Sequence, residues 1–212
     1  MTSAGKLIQC CGHGLLASAA VYLQNQDLEA CTLKMGDSFV ACHRRDNDFW
    51  LVFNRLTARE CEVPAWVSLF FKHPPQRAAL AGDESAYLVL EWPNGYPLET
   101  LSTPNIDLQD FTGRALIVTA RHSEAQIGFR YFAPQYGVSE DVATGSAMRV
   151  LADYWFQRCG YQQLRARQYS SEGGLLLSRL RGGQVEVGGS VEMMNGSESN
   201  NLAPSKTAYE HE

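Results

Sequence analysis

The stretch SEDVATGSAMRVLADYWFQR, Ser139 to Arg158, reveals the architecture. It opens on polar and small residues and then becomes apolar on most faces. A helix of that kind belongs inside a core, because no polar stripe is left to meet water. A second segment of the same design, CCGHGLLASAAVYL, begins at Cys10. Aligning the two sets Cys11-Gly12-His13-Gly14 over Val142-Ala143-Thr144-Gly145. The segments downstream of each helix also repeat. After the first come ACTLKM, a turn at Gly36-Asp37, SFVACHR, a turn at Asp46 to Asp48, and FWLVFNRL. After the second come LRARQYS, a turn at Gly173-Gly174, LLLSRL, a turn at Gly182-Gly183, and QVEVGGSVEM. Period-two alternation between Gly, Asn and Asp turns means antiparallel strands.

The chain therefore reads as α+β, with two pseudo-symmetric lobes. Each is a curved, mainly antiparallel sheet wrapped round one buried central helix. The expected divisions are residues 1–103 and 104–196, joined through Thr100 to Phe111, and then a polar, turn-rich tail over 197–212. VPAWVSLFFKH, Val63 to His73, reads as a helix with Pro64 in its first turn, and AYLVLEW, Ala86 to Trp92, as a buried strand. The strands that should precede the first helix are expected to be missing, because only MTSAGKLIQ stands where the second lobe has Gly113 to Ser139.

Composition narrows the function. With 45% hydrophobic and 19% charged residues, 212 residues are enough to form a core. A net charge of −5 argues against nucleic acid or an anionic membrane as partner. No run of about twenty apolar residues would span a bilayer, so a cytoplasmic protein is expected. The six cysteines are scattered and none lies in a C-x-x-C pair, so reduced thiols are expected rather than disulfides or a metal site.

The segment CCGHGLLASAA admits four readings. As a signal peptide it has only Lys6 for positive charge, and Gln9 and His13 interrupt its apolar run. As a metal knot, Cys10, Cys11 and His13 are crowded, with no second ligand cluster downstream. As a dinucleotide loop, Gly12-His13-Gly14-Leu15-Leu16-Ala17 satisfies G-x-G-x-x-G/A, but strands rather than βαβ units come after it. As a helix start facing its repeat, it completes an anion trap. The backbone N–H groups and positive dipole ends of two helices hold a carboxylate, and small residues let it approach the backbone.

RYFAPQYGVSEDVATGSAMRVLADYW, Arg130 to Trp155, closely resembles the signature of the phenazine-biosynthesis PhzF-like family, usually R-x-F-A-P and then E-D-P-A-T-G-S-A. CGHGLLASAAVYL is similar to that family's C-G-H-A-T helix start, and GRALIVTARHS, Gly113 to Ser123, to the strand that opens its second lobe. The resemblance implies the diaminopimelate-epimerase fold, commonly as a homodimer, and proton transfer at carbon beside a carboxylate without a cofactor. It implies that Gly12, Gly14, Thr144, Gly145 and Ser146 bind a small carboxylic acid, and that Asp141, His13 and Cys11 carry the acid–base chemistry. The family's principal acid/base glutamate lies before the first helix, and no residue in Met1 to Gln9 is acidic. Related racemases use one cysteine at each helix start; Cys11 holds the first position, but Val142 stands at the second. Each candidate also has a structural role open to it. Asp141 could cap the helix, His13 could donate to a backbone carbonyl, and Ser146 could satisfy a first-turn N–H. Two expectations stand side by side. One is an isomerase using Cys11, Glu140 or Asp141 as a substitute base, or one whose true start lies upstream; the other is a shortened relative that binds a small carboxylate, or only a protein partner, and no longer catalyses. In EGGLLLSRL, Glu172 to Leu180, the chain departs from the G-R-P-S common in the family, a change expected to alter the substrate pocket or the domain contact.

Overall fold

The computed structural model describes residues 12–137 and 139–192. Cys10, Cys11, the preceding residues and the 197–212 tail lie outside the described residues. In chain order, helix α1 (Gly12–Asn25) leads into strands β1 (Ala30–Met35), β2 (Ser38–Arg45), β3 (Asp48–Asn54) and β4 (Ala58–Cys61). The short α2 (Val67–Phe70) precedes β5 (Arg77–Ala81) and β6 (Tyr87–Glu91). Strands β7 (Ala115–Ser123) and β8 (Gln126–Phe132) lead to helix α3 (Gly145–Cys159). Then come β9 (Gln163–Gln168), β10 (Gly174–Arg181) and β11 (Gln184–Ser190).

The strands form one 11-stranded sheet in the order β1-β2-β3-β11-β10-β9-β8-β7-β6-β5-β4. All neighbours are antiparallel except β6 with β7 and β8 with β9. Helix α1 packs on β1, β2 and β3, whereas α3 packs on β9, β10, β11 and β4. The sheet thus curls round α3 from both sides and carries α1 on the extension beyond β11. This is the α+β architecture that the repeat implied, and the epimerase-like fold that the resemblance implied. Hairpin turns sit where the sequence put them; Gly36 and Gly182 take φ of +57° and +58°, which glycine adopts without penalty.

Two features differ from the expectation. Strands β4 to β6, from the segment assigned to the first lobe, pair into the sheet around α3, because β6 lies parallel to β7. The residues between them, including the expected linker, form a crossover packed beneath β7 and β8. The Val63–His73 helix shrinks to the single turn of α2, opened by the Val67 N–H donating to the Pro64 carbonyl.

Helix α3 is the hub. Ala147, Met148, Val150, Leu151 and Trp155 are fully or almost fully buried. Removing such side chains from water contributes about 1.5–3 kcal/mol each. Two polar anchors tie the helix to the β4–β6 end of the sheet. Asp153, fully buried, accepts from Arg55, from the Ala58 N–H at 2.7 Å and from Gln157. Tyr154 donates to Glu91 of β6, which also pairs with Arg158 at 3.1 Å. Burial, then the hydrogen bond to Glu91, holds the Tyr154 phenol well above the usual tyrosine range. No described helix is long and apolar enough to cross a membrane.

Candidate active site

Helices α1 and α3 meet at their first turns, glycine against glycine. A Cβ on Gly12 would stand 2.8 Å from the Gly145 Cα, and one on Gly145 would stand 3.2 Å from the Gly12 Cα. At Gly12 only a residue without a side chain permits this approach. Neither helix carries an acidic residue in its first turn, and α3 has no side-chain cap. Both positive ends therefore point at the junction without a carboxylate of their own. Ser146, in the first turn of α3, is 8% exposed, and its hydroxyl has no partner among the described residues.

His13 ties the two halves together. Its Nδ1 lies 3.0 Å from the Ala143 carbonyl, an oxygen that only accepts, so Nδ1 carries the proton. This is the carbonyl contact that the sequence left open for it, and it also sets the ring at the junction.

Asp141 does not cap α3; the N-cap residue is Thr144. One Asp141 carboxylate oxygen accepts from the Val142 N–H at 3.0 Å and the other from the Thr144 hydroxyl at 2.7 Å. The acid is therefore held inside the loop that leads into the helix. Glu140 is committed elsewhere. It makes a two-pronged pair with Arg130 at 2.7 and 2.8 Å, and Arg130 also donates to the Leu98 carbonyl and the Thr103 hydroxyl. That pairing makes Glu140 an anchor of the loop rather than an available base.

One residue escaped the sequence reading. Gln168, fully buried at the end of β9, accepts from the Thr144 N–H at 2.7 Å and donates to the Asp141 carbonyl at 2.6 Å and the Thr144 hydroxyl at 3.1 Å. A single amide thus clamps both ends of the Asp141–Thr144 turn. The signal was present in the alternation: Leu164, Ala166 and Gln168 share the inward face of β9, where a polar side chain must find a partner.

Beside the junction lies a cavity of about 360 Å³. Gly12, His13, Ala143 and Gly145 form its polar end, and Leu16, Leu51, Leu175, Leu176, Val187 and Val191 form its walls. The structure brings Gly12, His13 and Gly145 together at this cavity. Asp141, Thr144 and Ser146 adjoin it from the loop and first turn of α3 without lining it, and neither does Gly14. Cys11 lies outside the described residues.

A family model for phenazine biosynthesis-like proteins matches residues 62–197. An uncharacterized isomerase of Vibrio cholerae is 35% identical over 79% of this chain and 58% of its own length. An uncharacterized isomerase of Pseudomonas aeruginosa is 32% identical over 86% of this chain and 69% of its own. The chain thus spans little more than half of the first of these relatives. Among solved structures, a protein from Clostridium difficile provisionally assigned as a phenazine biosynthesis PhzC/PhzF protein superposes with a TM-score of 0.75 at 25% identity, covering 88% of this chain and 72% of that one. The matched residues include the α3 start and the Gln168 clamp, and on these findings the chain belongs to the phenazine biosynthesis-like (PhzC-PhzF) family.

Proposed function

We propose that this chain is a cofactor-independent isomerase or epimerase that moves a proton on a small carboxylic acid. The observation that carries the reading is the meeting of two helix starts at Gly12 and Gly145, with no acidic side chain in either first turn. Backbone N–H groups there hold the carboxylate, and the unpartnered Ser146 hydroxyl adds a donor or acceptor. Binding the carboxylate among positive dipole ends stabilises the extra negative charge that develops when a proton leaves the neighbouring carbon. In this reading His13, at the cavity, and Asp141, in the adjoining loop, relay that proton, with Cys11 as a further acid–base group. The names of the two bacterial relatives support an isomerase, and a homodimer working in the cytoplasm completes the proposal.

A second reading, a module that binds the carboxylate without turning it over, is favoured by one observation. Both oxygens of Asp141 already accept hydrogen bonds within their own loop. Solvent-deuterium incorporation, followed by NMR, separates the two. Amino acids, hydroxyanthranilates and cyclohexadiene carboxylates would be offered to the purified chain and to Asp141→Asn. The isomerase reading expects exchange into a carbon–hydrogen bond that the variant loses. A folded chain that binds an acid and exchanges nothing would leave the binding module standing instead.

A further inference from the structure

A rung of residues crosses the sheet on the face turned away from α3. In register order it runs Trp50 of β3, Gly188 of β11, Leu177 of β10, Arg165 of β9 and Gln126 of β8. Successive residues of a strand alternate between faces, so Leu51, Val187 and Leu164 stand on the opposite side, in the core that packs on α3. Gly188 opens the rung. A Cβ there would stand 2.6 Å from Trp50 Cδ2, so the missing side chain lets the indole lie across β11. Two residues along β10 from Leu177, Arg179 stands opposite Gln163, and its guanidinium carbon lies 4.2 Å from the centre of the Trp50 ring.

These side chains line a cavity of about 350 Å³ on that face. Two donors in its wall are stranded. Trp50 is 1% exposed, and its buried Nε1 has no acceptor among the described residues; nor has the buried Nη1 of Arg179. An indole N–H and a guanidinium can only donate. A buried donor left unsatisfied is costly, and more so when it is charged. Neither Arg179 nor the exposed Arg165 is in an ion pair among the described residues. The one carboxylate in the lining, Glu124, is exposed and pairs with neither of them.

We infer that this cavity is a second binding site, one for a small oxyanion, carboxylate or phosphate, held by Trp50 Nε1 and the guanidinium groups of Arg179 and Arg165. An oxyanion answers the whole set at once. Its several lone pairs accept from the indole and from both arginines, and its charge offsets theirs. The Gln126 and Gln163 amides, on the same face, supply further donors at the rim. The site is independent of the helix junction, because Leu51 and Val187, which line the cavity there, belong to the other face of the same strands.

The test follows the indole N–H signals of the isotope-labelled chain by NMR. Sodium phosphate and, separately, sodium acetate are titrated in, with ionic strength held constant by sodium chloride. Trp50→Phe assigns the Trp50 signal by removing it. That signal should move and saturate with at least one anion: phosphate alone marks a phosphate site, acetate alone a carboxylate site, and both a general oxyanion site. Arg179→Gln should weaken the binding by about tenfold or more, since it removes a charged donor. Arg165 is exposed, so Arg165→Gln leaves the core intact and should weaken the binding as well. Gly12→Ala, on the other face, should leave it unchanged. A Trp50 signal that neither anion moves, in a chain whose other indole signals show it folded, would overturn the proposal. So would a response that neither arginine variant weakens, or one that a folded Gly12→Ala protein loses.

Discussion

Replacing Gly12 by alanine sets two physical effects against each other. Alanine is favoured over glycine by about 1 kcal/mol in a helix interior, an upper bound at Gly12, the first residue of α1, so propensity alone predicts a more stable protein. The contact predicts the reverse. The new carbon would lie 2.8 Å from the Gly145 Cα and 3.1 Å from its nitrogen, whereas carbon atoms at rest stand about 3.5–4.0 Å apart. Both neighbours are backbone, so no side chain can turn aside, and the helix starts must part by about 0.7 Å or more. Overpacking of this kind costs about 1–3 kcal/mol, which leaves a net loss of up to about 2–3 kcal/mol. At Gly145 the corresponding contact is 3.2 Å and the next is 3.6 Å, so Gly145→Ala needs a much smaller shift. The order of stability by urea unfolding is therefore wild type or Gly145→Ala first and Gly12→Ala last. Carboxylate binding should show the same order. A hydrogen bond near 2.9 Å stretched by about 0.7 Å leaves the bonding range. Losing one to a charged acceptor costs about 1.5–3 kcal/mol, or tenfold and more in affinity. A Gly12→Ala protein that is more stable than wild type and binds an acid equally well would show that the glycine contact governs neither property.

Three other perturbations read different parts of the molecule. Gln168→Leu removes every contact the clamp makes to the Asp141–Thr144 turn. It should cost about 1–3 kcal/mol in denaturant unfolding, chiefly through the stranded Thr144 N–H, and should abolish deuterium exchange in an otherwise folded protein. Asp153→Ala leaves Arg55 and the Ala58 N–H without their buried acceptor, and should lower unfolding stability by about 3–5 kcal/mol. Burial, reinforced by Cys31 alongside, pushes the Cys42 thiol up from 9.0 to about 12. Between those values the unfolded chain has lost the proton that the folded chain keeps, so stability is full below pH 9 and falls as pH rises towards 12. The limiting slope is about 1.4 kcal/mol per pH unit, and Cys42→Val should show a shallower decline between about pH 9 and 10 by chemical denaturation.

The strand pattern was legible because it depends on local chemistry. ACTLKM is β1 to the residue, and the turns at Gly36 and Gly182 lie between strands as read. Helix α3 was legible for a similar reason, since few other segments are apolar on so many sides; α1 was read as equally buried, but it packs one face on β1 to β3 and exposes Val21 and Tyr22. The pairing of β6 with β7 was not legible. Parallel neighbours joined by an irregular crossover leave no periodic mark, so β4 to β6 were grouped with the strands nearest in sequence. At the site, glycines and His13 announced themselves by type and position. The division of labour among the acids did not, because Asp141 and Glu140 are adjacent in sequence yet face Thr144 and Arg130 respectively. Gln168 was hidden in a strand whose charged residues drew attention to the opposite face.

A crystal structure of the chain with cyclohexanecarboxylate bound would locate the acid outright. The carboxylate is expected at the Gly12–Gly145 junction, within about 3 Å of first-turn backbone N–H groups of α3. An acid bound elsewhere on the molecule, with the helix junction unoccupied, would rule out the paired helix starts as the carboxylate cradle.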